Sequence, residues 1–325
     1  MTEQLSSASI RGDRVLDIVI AHYNEPWEIG RKLFWMLDLQ RGIDWSQIHV
    51  TVVNDGGHRL PEDELARLCF PVEQLDIPHG GISAARNAGI DHATEEWIMF
   101  CDFDDCFASI YALRDYMTVL PADGFDFLYT AMLAEDGEKI YFTPKTQRFV
   151  FCHGKVYRRQ FLIDQNIRFD EELTFQEDSL FNAIVIARTD YRRTAEVTTN
   201  SPPYVWIKRE NSVTNSGRED EAVYWHFRRN LLVTAEHINN HERYCGMVTR
   251  TCYDTYYMLF SKKISIQMKN RILTEFAPWI RERKECFGKV DKETLETIRK
   301  IAKGELWEVP CPDDHERIAG WINQI

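Results

Sequence analysis

Trp97-Ile98-Met99-Phe100-Cys101 is an apolar run that breaks into Asp102-Phe103-Asp104-Asp105, a cluster of carboxylates. A short apolar run bounded by polar residues reads as a buried strand. Two earlier stretches have the same form. Val15-Leu16-Asp17-Ile18-Val19-Ile20-Ala21 runs into His22-Tyr23-Asn24-Glu25, and His49-Val50-Thr51-Val52-Val53 runs into Asn54-Asp55-Gly56-Gly57. Between the strands the period changes. Ile29, Leu33, Phe34, Met36, Leu37 and Leu39 repeat at helical spacing after Pro26. A short helix is expected over 62–69 and a strand over Val72–Ile77, and Gly80-Gly81 leads into the helix-forming run Ile82–Ile90. Strand and helix alternate up to Asp105, which predicts an α/β fold: a mainly parallel sheet with helices on both faces. Ligands of such sheets bind beyond the carboxyl ends of the strands, where all three polar clusters stand.

The chain has 325 residues, enough for about two domains. With 44% hydrophobic and 28% charged residues it is neither a disordered chain, a collagen-like repeat nor a disulfide mini-protein. The net charge of −12 is unevenly spread: residues 1–205 carry 19 basic and 33 acidic side chains, and residues 206–303 carry 19 basic and 13 acidic. Eight cysteines contain no Cys-x-x-Cys pair, which argues against a zinc site or a disulfide framework and for reduced thiols in a cytoplasmic setting. Met1–Asp13 has no apolar core of a signal peptide, and no apolar run reaches the ~20 residues of a membrane span. Peripheral contact with a membrane surface stays open.

Beyond Asp105 the pattern is mixed. Short strands are expected over 125–133 and 139–143, and helices over 155–165 and 176–187, the second with an acidic start. Pro202-Pro203 breaks the chain, and helices are expected over 219–240, 243–261, 265–285 and 291–303. The expected domains are a catalytic one over 1–215 and a helical one over 216–325, basic to about 303.

Four constellations carry chemistry. Carboxylates crowded at Asp102–Asp105 repel one another unless a cation lies between them, and hard oxygen ligands suit Mg²⁺ or Mn²⁺. An acidic turn capping the next helix would use the same residues. Asp55 after a β-branched run can accept from the imide N–H of a uracil ring, although Asn, Asp and Gly are also ordinary turn residues. Gly80-Gly81 allows close backbone approach, with Arg86 about one turn into the following helix and able to meet a base or phosphate. Neither a Gly-x-x-x-x-Gly-Lys nor a Gly-x-Gly-x-x-Gly pattern is present there, which weakens ATPase and dehydrogenase readings. Glu177-Asp178 at a helix start are either dipole partners or, for one carboxylate, the general base that deprotonates an acceptor hydroxyl.

Taken in order, these pieces resemble family 2 glycosyltransferases of the GT-A fold, over roughly 15–215. The resemblance extends to Gly154-Lys155-Val156-Tyr157-Arg158-Arg159, to Asn166-Ile167-Arg168-Phe169-Asp170-Glu171, and to Tyr204-x-Trp206-x-x-Arg209-x-x-Ser212-x-Thr214. It implies that Asp55 holds the uracil of a UDP-sugar, with Arg86 and the Tyr23–Glu25 loop nearby. Asp104 would contact ribose or metal, and Asp105 would bind the Mn²⁺ or Mg²⁺ on the diphosphate. Asp178 would be the base with Glu177 in support, and Tyr204, Arg209 and Ser212 would close over the diphosphate. Where many relatives have Pro-Thr this chain has Ala21-His22, Asn54 replaces a common acid, and Gly57 replaces Ser.

The acceptor is read from less. His153, Lys155 and Trp206 are candidates to line its pocket. Arg228 and Arg229 lie in the basic, aromatic stretch Tyr224-Trp225-His226-Phe227-Arg228-Arg229, followed by Tyr253, Tyr256 and Tyr257. An amphipathic bundle explains these residues, and so does a surface that pairs phosphates and stacks extruded bases. The stretch from His79 to Asp105 is most similar to bacteriophage members of the family, which implies a hydroxymethylated pyrimidine in DNA as acceptor. A surface-polysaccharide glycosyltransferase with a glycan or lipid-linked acceptor, and a non-catalytic nucleotide-sugar-binding module, are the alternatives.

Overall fold

In this computed structural model the described residues are 15–120, 124–143, 150–173, 176–189, 191–196, 203–208, 224, 228, 241–260, 264–296, 298 and 314–324. The chain runs β1 (Leu16–His22), α1 (Trp27–Asp38), β2 (Ile48–Asp55), α2 (Glu62–Leu65), β3 (Val72–Ile77), α3 (Ile82–His92), β4 (Trp97–Asp102), β5 (Cys106–Phe107) and α4 (Ala112–Met117). It continues through β6 (Phe127–Tyr129), β7 (Leu133–Glu135), β8 (Ile140–Phe142), β9 (Lys155–Arg158), α5 (Arg159–Asp164), α6 (Glu177–Arg188), β10 (Thr194–Glu196) and β11 (Tyr204–Ile207). The later helices are α7 (His241–Phe260), α8 (Ile266–Glu282) and α9 (Asp314–Ile322).

A seven-stranded sheet has the order β10-β6-β9-β4-β1-β2-β3. Its centre, β4-β1-β2-β3, is parallel throughout, as the alternation of strand and helix requires. These strands are apolar on both faces because both faces are covered, so Leu16, Ile18, Val19 and Ile20 are all buried in β1. The register matters most for function. Ala21 pairs with Val53 on one side and with Asp102 on the other, and His22 pairs with Asn54. The three polar strand ends therefore reach one level at one edge of the sheet.

The flank of the sheet departs from the expectation. Residues 155–165 were expected as one helix. Lys155–Arg158 is instead β9, antiparallel to both β4 and β6, and α5 begins only at Arg159. Lys155, Val156 and Tyr157 are consecutive and all buried, and a strand covered on both faces lacks the alternation that separates it from a helix. Gly154, at φ 67°, makes the turn into it.

A second, four-stranded sheet has the order β5-β11-β7-β8. β11 is antiparallel to β5 and parallel to β7, so it lies directly beside the residues that follow Asp105.

The chain divides into two units, and the division is not a single cut at 215. One contains the described part of Met1–Glu171 and Thr189–Arg209, and the other that of Glu172–Arg188 and Glu210–Ile325. Helix α6 thus belongs to the second unit. That unit has its own core, in which Cys245, Val248, Cys252, Tyr253 and Tyr257 of α7 pack with Trp279 and Ile280 of α8 and Ile318 and Ile322 of α9. Cys69, Cys101, Cys106, Cys152, Cys245, Cys252 and Cys286 are free thiols. Among the described residues no helix is long and apolar enough to cross a membrane.

Candidate active site

The ends of β1, β2 and β4 build the site. After β1 the chain turns at Asn24, with φ 59°, and the turn is held by the Tyr23 N–H donating to Glu25 Oε2 at 2.7 Å. Asn24 Oδ1 accepts the N–H of His58 at 2.8 Å, which joins this loop to the one after β2. The Tyr23 ring stacks on His79 at 4.1 Å and stays half exposed.

Asp55 is buried at the end of β2 and its carboxylate is heavily engaged. Oδ1 accepts the N–H of Gly80 at 2.7 Å, Oδ2 accepts that of Gly81 at 2.8 Å, and His79 Nδ1 lies 2.8 Å from Oδ2. Gly81 opens α3 at φ 90°, a conformation that L side chains rarely adopt. Asp55 therefore braces the glycine turn at the start of α3.

From α3, the buried Arg86 reaches Asp102 with Nη2 at 2.7 Å from Oδ1. Its guanidinium also lies over the Phe169 ring at 5.2 Å. Asn87 holds Phe169 in place by bonding both its N–H and its carbonyl, at 2.8 and 2.9 Å.

The Asp102–Asp105 turn closes with the Asp105 N–H donating to Asp102 O at 3.2 Å. Asp102 Oδ2 faces His153 Nδ1 at 3.1 Å. Burial works against ionisation of Asp102, but the Arg86 charge and the His153 bond hold its carboxyl well below the usual range. Asp105 is buried deeper, with 1% of its surface exposed. Its Oδ1 accepts the Ile207 N–H at 2.8 Å, while Oδ2 has no hydrogen-bond partner and lies 3.6 Å from His153 Nδ1. Burial, and then the charges of Asp102 and Asp104, push its carboxyl well above the usual range. His153 is buried and stacks with the rings of Tyr204 and Phe151, each at 5.1 Å, and its Nε2 also lacks a hydrogen-bond partner. Burial lowers the pKa of His153 against the pull of Asp102, which favours the neutral, ligating imidazole.

One ligand atom each from Asp102, Asp105 and His153 fall within 4.8 Å of one another. Two carboxylates and a neutral imidazole form a donor set suited to a first-row divalent cation. The orphaned Oδ2 of Asp105 is the observation that tests the fit, because a buried carboxylate oxygen with no donor is expensive without a counter-charge. The residues present fit a metal ion.

The expected metal pair was Asp104 and Asp105. The structure groups Asp105 with Asp102 and His153, and Asp104 stands in the turn, partly exposed, outside that group. Asp102 belonged to the expected carboxylate cluster but was not singled out as a ligand, and His153 was expected beside the acceptor. Tyr204 was expected to close over a diphosphate, but it is fully buried, with its hydroxyl accepting the Asp102 N–H at 3.0 Å. Lys155, expected at the acceptor, is buried within β9. Trp206 is partly exposed and packs on Phe151 at 4.6 Å. In the second unit, Glu177 and Asp178 open α6 after Gln176, at φ 58°, and Asp178 Oδ1 accepts the Ser179 N–H at 2.7 Å. Arg209, Ser212 and Arg229 lie outside the described residues.

Residues 17–178 match glycosyl transferase family 2. This stretch is a family 2 glycosyltransferase domain. It begins at Asp17 in β1 and ends at Asp178, so it includes Asp55, Arg86, Asp102, Asp105 and His153. The chain is similar to the uncharacterized glycosyltransferase EpsJ of Bacillus subtilis, 27% identical over 163 residues, which is 42% of this chain and 47% of that protein. It is also similar to the poly(ribitol-phosphate) beta-N-acetylglucosaminyltransferase TarS of Staphylococcus aureus, 27% identical over 152 residues, 42% of this chain and 26% of TarS. These matches span less than half the length of the curated relatives. Among solved structures, S. aureus TarS 1-349 in complex with UDP-GlcNAc aligns with a TM-score of 0.67 at 18% identity, covering 95% of this chain and 92% of that one. Its complex with UDP aligns at 0.65 with 16% identity, covering 95% and 91%. The fold of the glycosyltransferase domain is GT-A, followed by a helical region.

Proposed function

We propose that the chain transfers a sugar from a UDP-sugar to an acceptor hydroxyl with the help of a divalent cation. The observation that carries this reading is the group of Asp102 with the buried Asp105 and His153, with the free Oδ2 of Asp105 and Nε2 of His153, at the carboxyl ends of the parallel strands. The UDP and UDP-GlcNAc complexes of TarS, on the same fold, support the choice of donor. A non-catalytic module would have no need of a buried carboxylate held without a partner.

In this reading Tyr23, Glu25 and Asp55 line the base end of the donor, and Arg86 keeps Asp102 ionised and in place. Asp102, Asp105 and His153 would hold Mn²⁺ or Mg²⁺, which when bound offsets the charge of the departing diphosphate. Asp178 accepts the proton of the acceptor hydroxyl as that oxygen attacks C1 of the sugar from the side opposite UDP, so the configuration at C1 inverts. Glu177 supports it, and Arg209 and Ser212 are the candidates to cover the diphosphate.

For the acceptor, a surface glycan or polyol polymer is the better-supported class, because the relatives named for an acceptor act on such a polymer. The alternative, a hydroxymethylated pyrimidine in DNA, rests on the basic charge of 206–303. Of the aromatics invoked for base stacking, Tyr224, Tyr253 and Tyr257 are buried, Tyr256 is partly exposed, and Trp225 and Phe227 lie outside the described residues. Arg228 is engaged by Glu172 at 3.1 Å and by the Tyr224 hydroxyl at 3.3 Å. The test is an acceptor screen by mass spectrometry with mixed UDP-sugars and Mn²⁺. A sugar-sized mass gain on glycan or polyol-phosphate acceptors supports the reading. A gain only on hydroxymethylated DNA would transfer it to nucleic-acid modification.

A further inference from the structure

Tyr204 is fully buried, yet it reaches two members of the cation group, and its strand reaches the third. Its hydroxyl accepts the backbone N–H of Asp102 at 3.0 Å, which fixes the end of β4. Its ring stacks on His153 at 5.1 Å and 17° between planes, and Phe151 stacks on His153 at the same distance. Three residues further along β11, the Ile207 N–H donates to Asp105 Oδ1 at 2.8 Å. The bond to Oδ1 leaves Oδ2 as the oxygen that faces His153.

The strand is itself held firmly. Tyr204 pairs with Phe107 and Val205 with Cys106, the residues that directly follow the carboxylate turn. The Phe107 ring packs edge-on against Tyr204 at 5.5 Å and 82°. A hydroxyl, a ring face and a backbone N–H from four consecutive residues thus set the positions of all three candidate ligands.

We propose that Tyr204 is the positioning residue of the cation site, and that β11 pre-sets the spacing of Asp102, His153 and Asp105 before an ion enters. This rests on the reading of that group as a cation site. The physical reason is preorganisation. Carboxylates and imidazoles that must be gathered by the ion use part of its binding energy, and loss of an orienting partner behind the ligands typically weakens metal affinity by about 10–100-fold. Removing the Tyr204 hydroxyl leaves the Asp102 N–H without its acceptor and frees the end of β4 to shift. The ring face that orients His153 is untouched by that change, so the hydroxyl and ring contributions separate in two variants.

The experiment titrates Mn²⁺ alone into the full chain, with free Mn²⁺ read by electron paramagnetic resonance, and records melting temperatures in parallel. Tyr204→Phe is expected to weaken Mn²⁺ binding by roughly tenfold, and Tyr204→Leu by more. In UDP release from a UDP-sugar, the Mn²⁺ half-saturation of Tyr204→Phe is expected to rise by the same factor while the rate at saturating Mn²⁺ returns towards the wild type. A merely structural role would lower the melting temperature and leave the Mn²⁺ affinity of the folded protein unchanged, and that result would overturn the proposal. If Tyr204→Phe does not fold, Phe107→Leu loosens the same ring, and an unchanged Mn²⁺ affinity there contradicts the proposal equally. Wild-type protein that binds no Mn²⁺ would overturn the cation site as well, whereas wild-type binding with an unaltered Tyr204→Phe overturns the positioning role alone.

Discussion

Asp105 carries an unfavourable electrostatic position: it is buried, close to Asp102 and Asp104, and one of its oxygens has no donor. Strain of this kind persists where function needs it. We expect Asp105→Asn to raise the melting temperature of the metal-free protein near neutral pH, because it removes a carboxyl whose ionisation the fold disfavours while Oδ1 can still accept the Ile207 N–H. The same substitution should abolish the rise in melting temperature that Mn²⁺ produces in the wild type. Differential scanning fluorimetry with and without Mn²⁺ checks both halves. Asp178→Asn should behave differently, keeping donor binding and Mn²⁺ binding and losing transfer to the acceptor, as single-turnover assays would show. Asp105 was legible in the sequence, because it stands in a short run of acids at the end of an apolar strand. The partners of Asp102 were not legible. Arg86 is 16 residues away and His153 is 51 away, and the packing of α3 on the sheet and the pairing of β9 with β4 bring them together.

Among the elements, α1 has a role beyond covering the sheet. A Cβ on Gly30 would lie 2.2 Å from the Phe103 ring, so the helix packs directly on the middle of the carboxylate turn. We expect Gly30→Ala to cost about 1–3 kcal/mol through overpacking. Because the displaced ring belongs to Asp102–Asp105, Mn²⁺ affinity should fall as well, measured beside the wild type at a temperature where both are folded. The start of α3 is a second such joint. Asp55→Ala would strip the acceptors from the Gly80 and Gly81 N–H groups, and we expect it to lose about 1–3 kcal/mol and most of its affinity for UDP, checked by chemical denaturation and calorimetry. The strands and helices up to β4 were readable because their periods are clean and their ends carry turn residues. β9 was not, since a short strand buried on both faces shows no alternation. β11 was not read as a strand from the sequence, which marked only the Pro202-Pro203 break before it, and nothing local says that Tyr204 faces inwards. Its burial follows from pairing with β5, a strand of two residues.

On the scale of the whole chain, the sequence divides by charge and the structure divides by packing, and the two divisions differ at Glu172–Arg188. The family match covers 17–178, and α7, α8 and α9 of the second unit lie beyond it. Much of the aromatic content of those helices is core: Tyr253 is buried and its hydroxyl lies 2.9 Å from His315 Nδ1. Arg271 lies over the Tyr224 ring at 3.8 Å and pairs with Glu275, whose Oε2 accepts the Tyr224 hydroxyl at 3.0 Å. Net charge over a stretch of sequence does not reveal which of its cations are already paired. Arg228→Glu should therefore destabilise the helical unit by placing a second acid beside Glu172, with little effect on retention by DNA at low salt.

The most direct test of the cation site as the centre of a UDP-sugar reaction is UDP release from a pool of UDP-sugars, measured against Mn²⁺ concentration for the wild type and Asp105→Asn. The expected result is release that needs Mn²⁺, saturates with it, and is lost in the variant. Release that proceeds equally without divalent metal, or that survives in Asp105→Asn, would contradict the account.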